Sequence, residues 1–305
     1  MTQKVEVVPY LNEWPTLFDA EAGHIKQALG DNCITIHHIG STSVPGLAAK
    51  PIIDVLPVVK TISLVDQASA AMKQLGYKAK GESGMLFRRF FQKADKSCAY
   101  NVHIYEDGNS EIERYLKFRD WMRSHPDDRD AYGNLKNELA LKFPHDIFGY
   151  CMGKDEFVAG IDTKTGFDGL RVVQALTDRE WYAVRQLRQK YFFDKVSIPD
   201  PYTWTFDHKD HVHFVVYKGS QIVGYAHIQL WPENRSALRI IVIDAAYRNN
   251  GIGSVFLKMG ERWLRERGVK KIHAQSSPEA YQFYCKHEYM HMSFNDPDGH
   301  KSDFR

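Results

Sequence analysis

Several features that would mark a specialised class of protein are scarce in this sequence. It has only four cysteines in 305 residues, and none of them forms a C-x-x-C pair. A disulfide framework is therefore not expected, and we predict ordinary reduced thiols. No apolar run approaches the roughly 18 residues of a membrane span, and the first residues lack the apolar stretch of a signal peptide. The compartment expected from these absences is the cytoplasm.

An excess of charge of one sign is absent as well. The 40 Lys and Arg residues face 38 Asp and Glu residues, which leaves a formal net charge of +2. Proteins that bind nucleic acid or lie on anionic membranes usually carry a clear basic surplus, so neither nucleic acid nor a membrane is expected as a partner. The apolar content of 43% is that of a globular protein. The length predicts two domains.

A polar stretch over residues 162–169, with two glycines and no apolar periodicity, separates two different patterns. We predict an N-terminal domain over 1–162, a linker over about 163–169 and a C-terminal domain over 170–305. In the first domain the predicted strands precede the helices, an order typical of an α+β fold with a mixed sheet. The predicted elements are strands over 34–39, 51–59, 87–92 and 99–105, a helix opened by a Ser110–Glu113 capping box, and a helix over 129–143.

In the second domain strands and helices alternate, as in α/β folds. The predicted strands are 170–175, 213–217, 222–230, 237–243 and 271–275. A helix follows a capping box formed by Thr177 and Glu180, a second helix begins at Ile252, and a third follows the N-cap candidate Ser277.

The segment 248–254, with the sequence RNNGIGS, lies between a predicted strand and an amphipathic helix. The first turn of a helix presents unpaired N–H groups and the positive end of the helix dipole, so it binds phosphate. Gly251 and Gly253 lack Cβ atoms, which lets a bulky diphosphate approach the backbone. Taken alone, the pattern fits a tight strand–helix connection equally well.

Together with the segment 280–289, this loop resembles the coenzyme A motif and the closing motif of the GNAT family of N-acetyltransferases. The resemblance covers about residues 170–295, with Glu288-Tyr289 standing where a Gly-Phe pair is usual. It implies an acyl-CoA N-acyltransferase fold, acetyl-CoA as cosubstrate, a small-molecule or peptide amine as acceptor, and no metal. The cofactor residues so implied are Ile241, Val242 and Ile243 for the pantetheine arm, and Arg248, Asn249, Asn250, Gly251, Ile252, Gly253 and Ser254 for the diphosphate.

The same resemblance implies which side chains act in the transfer. Tyr284 matches the family's general acid, which protonates the departing thiolate of coenzyme A; the alternative is a core aromatic residue beside Phe283. Only a small fraction of an ordinary amine is neutral at pH 7, so a base or a water relay is needed. Asp244, His227 and bulk water all stay open as the base.

The stretch over residues 39–54, with the sequence IGSTSVPGLAAKPIID, resembles the GrpB family, which is related to nucleotidyltransferases. The resemblance covers about residues 4–160, and Tyr132 with Lys136 and Tyr150 with Lys154 agree with it. It implies a nucleotidyltransferase-like domain with a candidate nucleotide site. The residues of that site are Gly40, Ser41, Lys50, Asp54, Asn101 and His103.

Nucleotidyltransferases hold Mg²⁺ with two carboxylates two residues apart, because alternate strand positions share a face. Here Asp54 is present, but position 56 is Leu. Two alternatives remain: the domain transfers nucleotides with Mg²⁺ at an altered site, or it binds a phosphate-bearing ligand or acts as a scaffold. In the first case the GNAT-like domain could serve only as a module that binds coenzyme A.

Two further expectations concern the second domain. The segment 207–213 is rich in Asp and His, but a solvated loop explains it and the resemblance implies no metal, so no metal site is predicted. The GNAT family ends with a strand paired to one that would lie near residues 290–294 here. Because little sequence follows, we predict a sheet edge that is ragged or is completed by a partner.

Overall fold

The computed structural model describes residues 4–94 and 98–297. The chain forms two compact units, Met1–Arg171 with Lys218–Gln221, and Val172–Tyr217 with Ile222–Arg305. Each unit combines helices with a five-stranded sheet, which confirms the predicted fold class. Within the described ranges, no helix is long and apolar enough to cross a bilayer.

The N-terminal unit packs helices against a mixed sheet. Its strands are β1 (Cys33–Ile39), β2 (Ile52–Val59), β3 (Lys78–Ala79), β4 (Arg89–Ala94) and β5 (Ala99–Glu106). Its helices are α1 (Trp14–Leu29), α2 (Ser69–Gln74), α3 (Ser110–Ser124), α4 (Pro126–Lys142), α5 (Ile147–Met152) and α6 (Asp155–Lys164). The strand order is β1-β2-β5-β4-β3, in which β2 runs parallel to β5 and the other neighbours are antiparallel.

The two faces of β2 have different neighbours, because successive residues of a strand point to opposite sides. Ile53 and Val55 are fully buried in the core that includes α1. On the opposite face Leu56 packs against Tyr105 and residues of α3. Position 56 is therefore part of an apolar core, on the same face of the strand as Asp54.

The C-terminal unit has the strand order β10-β9-β8-β7-β6. Its strands are β6 (Leu170–Gln174), β7 (His211–Lys218), β8 (Gln221–Trp231), β9 (Arg235–Ile243) and β10 (Lys271–Ala274), and its helices are α7 (Asp178–Arg188), α8 (Ile252–Glu266) and α9 (Pro278–Lys286). The two faces of the sheet carry different helices: Val242 of β9 packs with Val184 of α7, whereas Ile241 lines a small apolar space with Phe256 of α8.

Three details depart from the sequence predictions, and one agrees with them. The Ser110 capping box is wrong, because the Asn109 side chain accepts from Glu111 N and caps α3 instead. Helix α6 continues to Lys164, into the stretch predicted as linker. Residues 290–294 form no strand, and the chain after residue 297 lies outside the described residues. The Thr177 capping box is confirmed, with both of its hydrogen bonds present.

Candidate functional site

The strands β9 and β10 run side by side for only four residues. Their parallel pairing begins at Arg235 with Lys271 and ends at Leu238 with Ala274. On its other side β9 stays paired with β8 as far as Ile243. Among residues 4–94 and 98–297, residues 240–243 therefore have no strand partner on the β10 side, and the backbone groups that point there can bind an extended ligand. The predicted pantetheine residues Ile241, Val242 and Ile243 lie in this stretch.

Strand β9 has a bulge at the point where its pairing with β10 ends. His227 of β8 pairs with Ile240, but the next residue, Ile228, pairs with Leu238, so Arg239 is an extra residue on β9. Bulges bend a strand and interrupt its ladder, and they occur often beside active sites. Here the bulge lies directly after Leu238, the last residue of β9 that pairs with β10.

The loop after β9 leads into α8 through left-handed backbone. Asn249 has φ +63° and Gly251, the residue before the helix, has φ +76°. A Cβ atom on Gly251 would meet nothing within 4 Å, so the approach to the helix end is clear of protein atoms. The N–H groups of Ile252, Gly253 and Ser254 belong to the first turn, where no intrahelical acceptor exists. This turn has the polarity and the access that a diphosphate requires.

Arg248 holds the loop in place. Its Nε donates to the Ile243 carbonyl oxygen at 2.8 Å, and its guanidinium lies 4.8 Å from the centre of the Tyr191 ring. The Tyr191 hydroxyl in turn accepts from Ala245 N at 2.7 Å. Asn249 and Asn250 are exposed. The loop is thus tied to the end of β9 by its first residue, and its middle faces solvent.

Helix α9 packs at the start of α8. A Cβ atom on Gly253 would lie 3.6 Å from Ile243 Cγ1 and 3.6 Å from Phe283 Cε2. The Ser254 hydroxyl is 2.9 Å from His287 Nε2. The end of β9, the first turn of α8 and helix α9 therefore meet at one place, and this helix also carries Tyr284.

Tyr284 is 8% exposed and contacts the rings of Phe283 and Tyr289. Burial raises the pKa of its hydroxyl to about 12. The phenol thus keeps its proton at neutral pH. The hydroxyl is therefore present in the protonated form that a general acid needs, although its raised pKa makes it a weaker acid than an ordinary phenol.

The two candidate bases are both engaged by protein groups. Asp244 Oδ2 accepts from Lys190 Nζ at 2.9 Å, and this hydrogen bond holds the pKa of the Asp244 carboxyl below its usual value. His227 is buried, and its Nε2 lies 2.7 Å from His211 Nδ1. Burial lowers the pKa of His227 well below the usual value, an effect that His213 reinforces. Each group is therefore a weaker base than an ordinary side chain of its type.

The histidines of β7 and β8 form a buried hydrogen-bonded cluster. His213 Nε2 lies 3.1 Å from the Thr205 carbonyl oxygen, which can only accept, so this nitrogen carries the proton. Its Nδ1 then accepts from the Tyr225 hydroxyl at 2.6 Å. Burial lowers the pKa of His213 to about 4, and the nearby charge of Arg188 acts in the same direction. Within the described ranges, no group of three or more His, Cys, Asp or Glu residues could hold a metal ion.

We expect this cluster to make the protein sensitive to acid. His213 is neutral in the folded chain down to pH about 4, whereas an unfolded histidine gains its proton near pH 6.5. The unfolded state therefore binds more protons between these values, and stability falls as pH drops through that window, by up to about 3 kcal/mol. Urea unfolding at several pH values measures it. His213→Gln should flatten the dependence and exposed His291→Gln should not; equal slopes in all three proteins would contradict the assignment.

In the N-terminal unit, the Gly40-Ser41 turn and Asp54 lie in contact. Gly40 has φ +70°, and a Cβ atom there would collide with the Asp54 carboxylate. Asn101 Nδ2 donates to Asp54 Oδ1 at 3.0 Å, and His103 Nε2 is 3.5 Å from the same oxygen. Burial alone would raise the pKa of Asp54, but the contacts with His103 and Asn101 bring it below the usual value. The structure brings these five predicted residues together.

A single carboxylate at this position is a poor match for Mg²⁺. The second position of an Asp-x-Asp pair is Leu56, which is fully buried in the core. Hard divalent cations need oxygen ligands that neutralise their charge. Asn101 and His103 supply no negative charge, so the residues present do not fit a nucleotidyltransferase metal centre.

Two lysines near this site, Lys136 and Lys154, were not among its predicted residues. Lys136 Nζ donates to Ser41 Oγ at 2.8 Å and to the Ala48 carbonyl oxygen. Lys154 Nζ lies 4.7 Å from the centre of the Tyr150 ring, and Lys50 Nζ lies 5.0 Å from the centre of the same ring. The sequence does contain a signal for these lysines: each follows a tyrosine by four residues, Lys136 after Tyr132 and Lys154 after Tyr150.

The structure defines a protein of two units, each of which combines helices with a five-stranded sheet. The chain belongs to the GrpB protein family, whose model matches residues 4–164. A second model, the Acetyltransferase (GNAT) family, matches residues 181–289. Both resemblances found in the sequence are thereby confirmed, and the GNAT match supports an activity of the N-acetyltransferase type.

Relatives of known sequence and structure match the N-terminal half. UPF0157 protein YqkA of Bacillus subtilis is 47% identical over 156 residues, which are 51% of this chain and 46% of the relative. UPF0157 protein BH1888 of Halalkalibacterium halodurans is 37% identical over 158 residues, 52% of this chain and 80% of the relative. The crystal structure of conserved protein GrpB from Enterococcus faecalis has 41% identity and a TM-score of 0.50, covering 52% of this chain and 96% of that one. The chain thus spans about half the length of YqkA.

Proposed function

We propose that the C-terminal domain transfers the acetyl group of acetyl-CoA to an amine. The observation that carries the proposal is the junction of three elements: the unpaired end of β9, the clear first turn of α8, and α9 with Tyr284. Backbone N–H groups of residues 252–254 would hold the diphosphate, and the backbone of residues 241–243 would hold the pantetheine arm. The acceptor is a small-molecule or peptide amine.

In this mechanism the neutral amine attacks the thioester carbonyl carbon. A C–N bond forms and the C–S bond breaks, so that the sulfur leaves as a thiolate. Tyr284 donates its proton to the sulfur as the C–S bond breaks. Because its pKa of about 12 lies above the roughly 8.5 of a thiol, this transfer is uphill by itself, and it is completed when solvent returns a proton to the phenolate. The proton of the amine leaves through water, because Asp244 is paired with Lys190 and His227 is buried against His211.

Binding of acetyl-CoA is tested first by thermal melting of the full chain. A ligand that binds only the folded state stabilises it, by about 2.7 kcal/mol at 100 times its Kd. Gly253→Glu should abolish the shift, because its carboxylate would repel the diphosphate in the first turn, although an acidic residue there favours the helix itself. Lys258→Glu adds negative charge at an exposed position further along α8 and should keep the shift.

Transfer is tested by the release of free thiol from acetyl-CoA with a panel of amines. Thiol release that depends on one amine class supports the enzyme. A melting shift without release from any amine would leave a module that only binds coenzyme A. If neither a shift nor release occurs, the acetyltransferase proposal fails.

A second candidate function, nucleotide transfer with Mg²⁺, concerns the N-terminal domain. The contact of the Gly40-Ser41 turn with Asp54 favours it, whereas Leu56 in the core removes the second metal ligand. Incubation with a labelled nucleoside triphosphate and Mg²⁺ tests it, and the absence of pyrophosphate release would leave the domain as a binding module or scaffold.

A further inference from the structure

Three lysine side chains of the N-terminal unit interact through their charges with Asp54, and one of them, Lys136, also contacts Ser41 of the turn. Lys50 precedes β2, Lys136 is on α4, and Lys154 precedes α6. The ammonium groups of Lys50 and Lys154 both lie over the Tyr150 ring, at 5.0 and 4.7 Å from its centre. That of Lys136 lies 4.6 Å from the centre of the Tyr132 ring. We call these three residues the lysine cluster.

The positive charge of the cluster exceeds the negative charge near it, because three lysines face the two carboxylates of Asp54 and Asp155. In the part of the chain that the structure describes, none of the three ammonium groups forms an ion pair with a carboxylate within 4.0 Å; Lys136 donates only to the neutral Ser41 hydroxyl and the Ala48 carbonyl oxygen. Asp54 is the carboxylate whose charge acts on both Lys50 and Lys136, and the charge of Lys154 opposes it at both.

Keeping these charges close together is unfavourable in the absence of an anion. Lys136 is only 2% exposed, and burial together with repulsion from Lys154 lowers its pKa to about 7. Burial and the charge of Lys154 also lower the pKa of Lys50. Protein interiors tolerate an ammonium group when an anion or a set of hydrogen bonds compensates it. A group with several negative oxygens would supply that compensation.

The same arrangement disfavours a divalent cation. A Mg²⁺ ion beside Asp54 would meet one carboxylate and also the positive charges of Lys50, Lys136 and Lys154, whose repulsion opposes its binding. A phosphate group would instead accept from several ammonium groups, as phosphates do at lysine-containing sites. Lys136 already holds Ser41, the residue of the turn whose hydroxyl could donate to the same ligand.

We propose that Ser41, Lys50, Lys136 and Lys154 form a site that binds the phosphate chain of a polyphosphate-bearing small molecule without a divalent metal. The lysines take the place of the metal that a nucleotidyltransferase uses to neutralise phosphate charge. The shared ligand chemistry is a chain of phosphates, which occurs in inorganic triphosphate and in nucleoside triphosphates.

Isothermal titration of the full chain tests the site with three probes: inorganic triphosphate, ATP and adenosine, each in EDTA and again with Mg²⁺. We expect triphosphate and ATP to bind in EDTA and adenosine not to bind. If ATP binds at least tenfold tighter than triphosphate, the site recognises a nucleotide. If the two affinities are equal, the site recognises the phosphate chain alone. The absence of binding in EDTA, or binding only with Mg²⁺, overturns the proposal.

Variants assign the binding to the cluster. Lys154→Met and Lys136→Met should each weaken binding by at least about tenfold, the usual loss for a hydrogen bond to a charged group. Exposed Lys142→Met, on the same helix as Lys136, should bind as the unmodified chain does. Since Lys136→Met removes a buried, repelled charge, its melting temperature should hold or rise while its affinity falls. Unchanged affinity in both cluster variants overturns the assignment.

Discussion

Replacing Tyr284 with Phe should lower the kcat of acetyl transfer by about 10²- to 10⁴-fold, the range for loss of a general acid. The substitution keeps the ring that packs on Phe283 and Tyr289 and removes only the hydroxyl. Because the diphosphate contacts are elsewhere, the Kd for acetyl-CoA should be nearly unchanged. Steady-state kinetics and an acetyl-CoA titration of the same variant measure the two effects separately.

Helix α9 offers a matched control for this prediction. Tyr281 lies one turn earlier and is 42% exposed, so Tyr281→Phe should leave kcat unchanged. The raised pKa of Tyr284, about 12, also predicts that no loss of activity at alkaline pH comes from this group below that value. Full turnover by Tyr284→Phe across the accessible pH range would remove the acid role and leave Tyr284 as a packing residue.

Replacing Arg188 with Met should destabilise the protein by about 3–5 kcal/mol, the cost of leaving a buried charge without its partner. Arg188 is 1% exposed; its Nη2 donates to Asp200 Oδ1 at 2.9 Å and its Nη1 donates to the Tyr225 hydroxyl at 3.0 Å. The substitution leaves the Asp200 carboxylate, whose side chain is only 10% exposed, without a cation. Urea unfolding of the full chain measures the loss.

A double variant separates the stability lost with the ion pair from the stability lost with the packing of Arg188. Arg188→Met combined with Asp200→Asn should recover part of the stability, because it removes the orphaned negative charge as well. The partly exposed pair of Arg262 and Glu266 on α8 provides a comparison, and Arg262→Met should cost no more than about 1 kcal/mol. If Arg188→Met also costs no more than about 1 kcal/mol, water takes the place of the guanidinium beside the Asp200 carboxylate.

Local sequence patterns predicted much of the C-terminal domain. The Thr177 capping box depends on two residues three positions apart, and the structure has both of its hydrogen bonds. The strand before residue 243, the left-handed Gly251 and the helix from Ile252 form a continuous segment whose geometry depends on near neighbours. Ser110 shows the limit of such patterns: its hydroxyl donates to the Leu170 carbonyl oxygen, 60 residues away, and Asn109 caps the helix.

The N-terminal site was predicted in part. The Gly-Ser turn and Asp54 follow from one stretch of sequence, and their contact depends on the pairing of β1 with β2, in which Ile39 lies opposite Asp54. The missing second carboxylate was visible as Leu56. That its place is taken by an apolar core, and that lysines from two later segments lie nearby, was not visible.

The sequence by itself determined the two families, the glycine-bordered start of α8 and the single carboxylate on β2, because each depends on residues that are close along the chain. Only the tertiary structure decided where the pairing of β9 with β10 ends, the burial that keeps Tyr284 protonated, and the lysine cluster. The bond from Lys136 to Ser41 spans 95 positions. Contacts of that separation depend on how whole elements pack, and desolvation, which shifts the pKa of Lys136 and Tyr284, exists only once the core has formed.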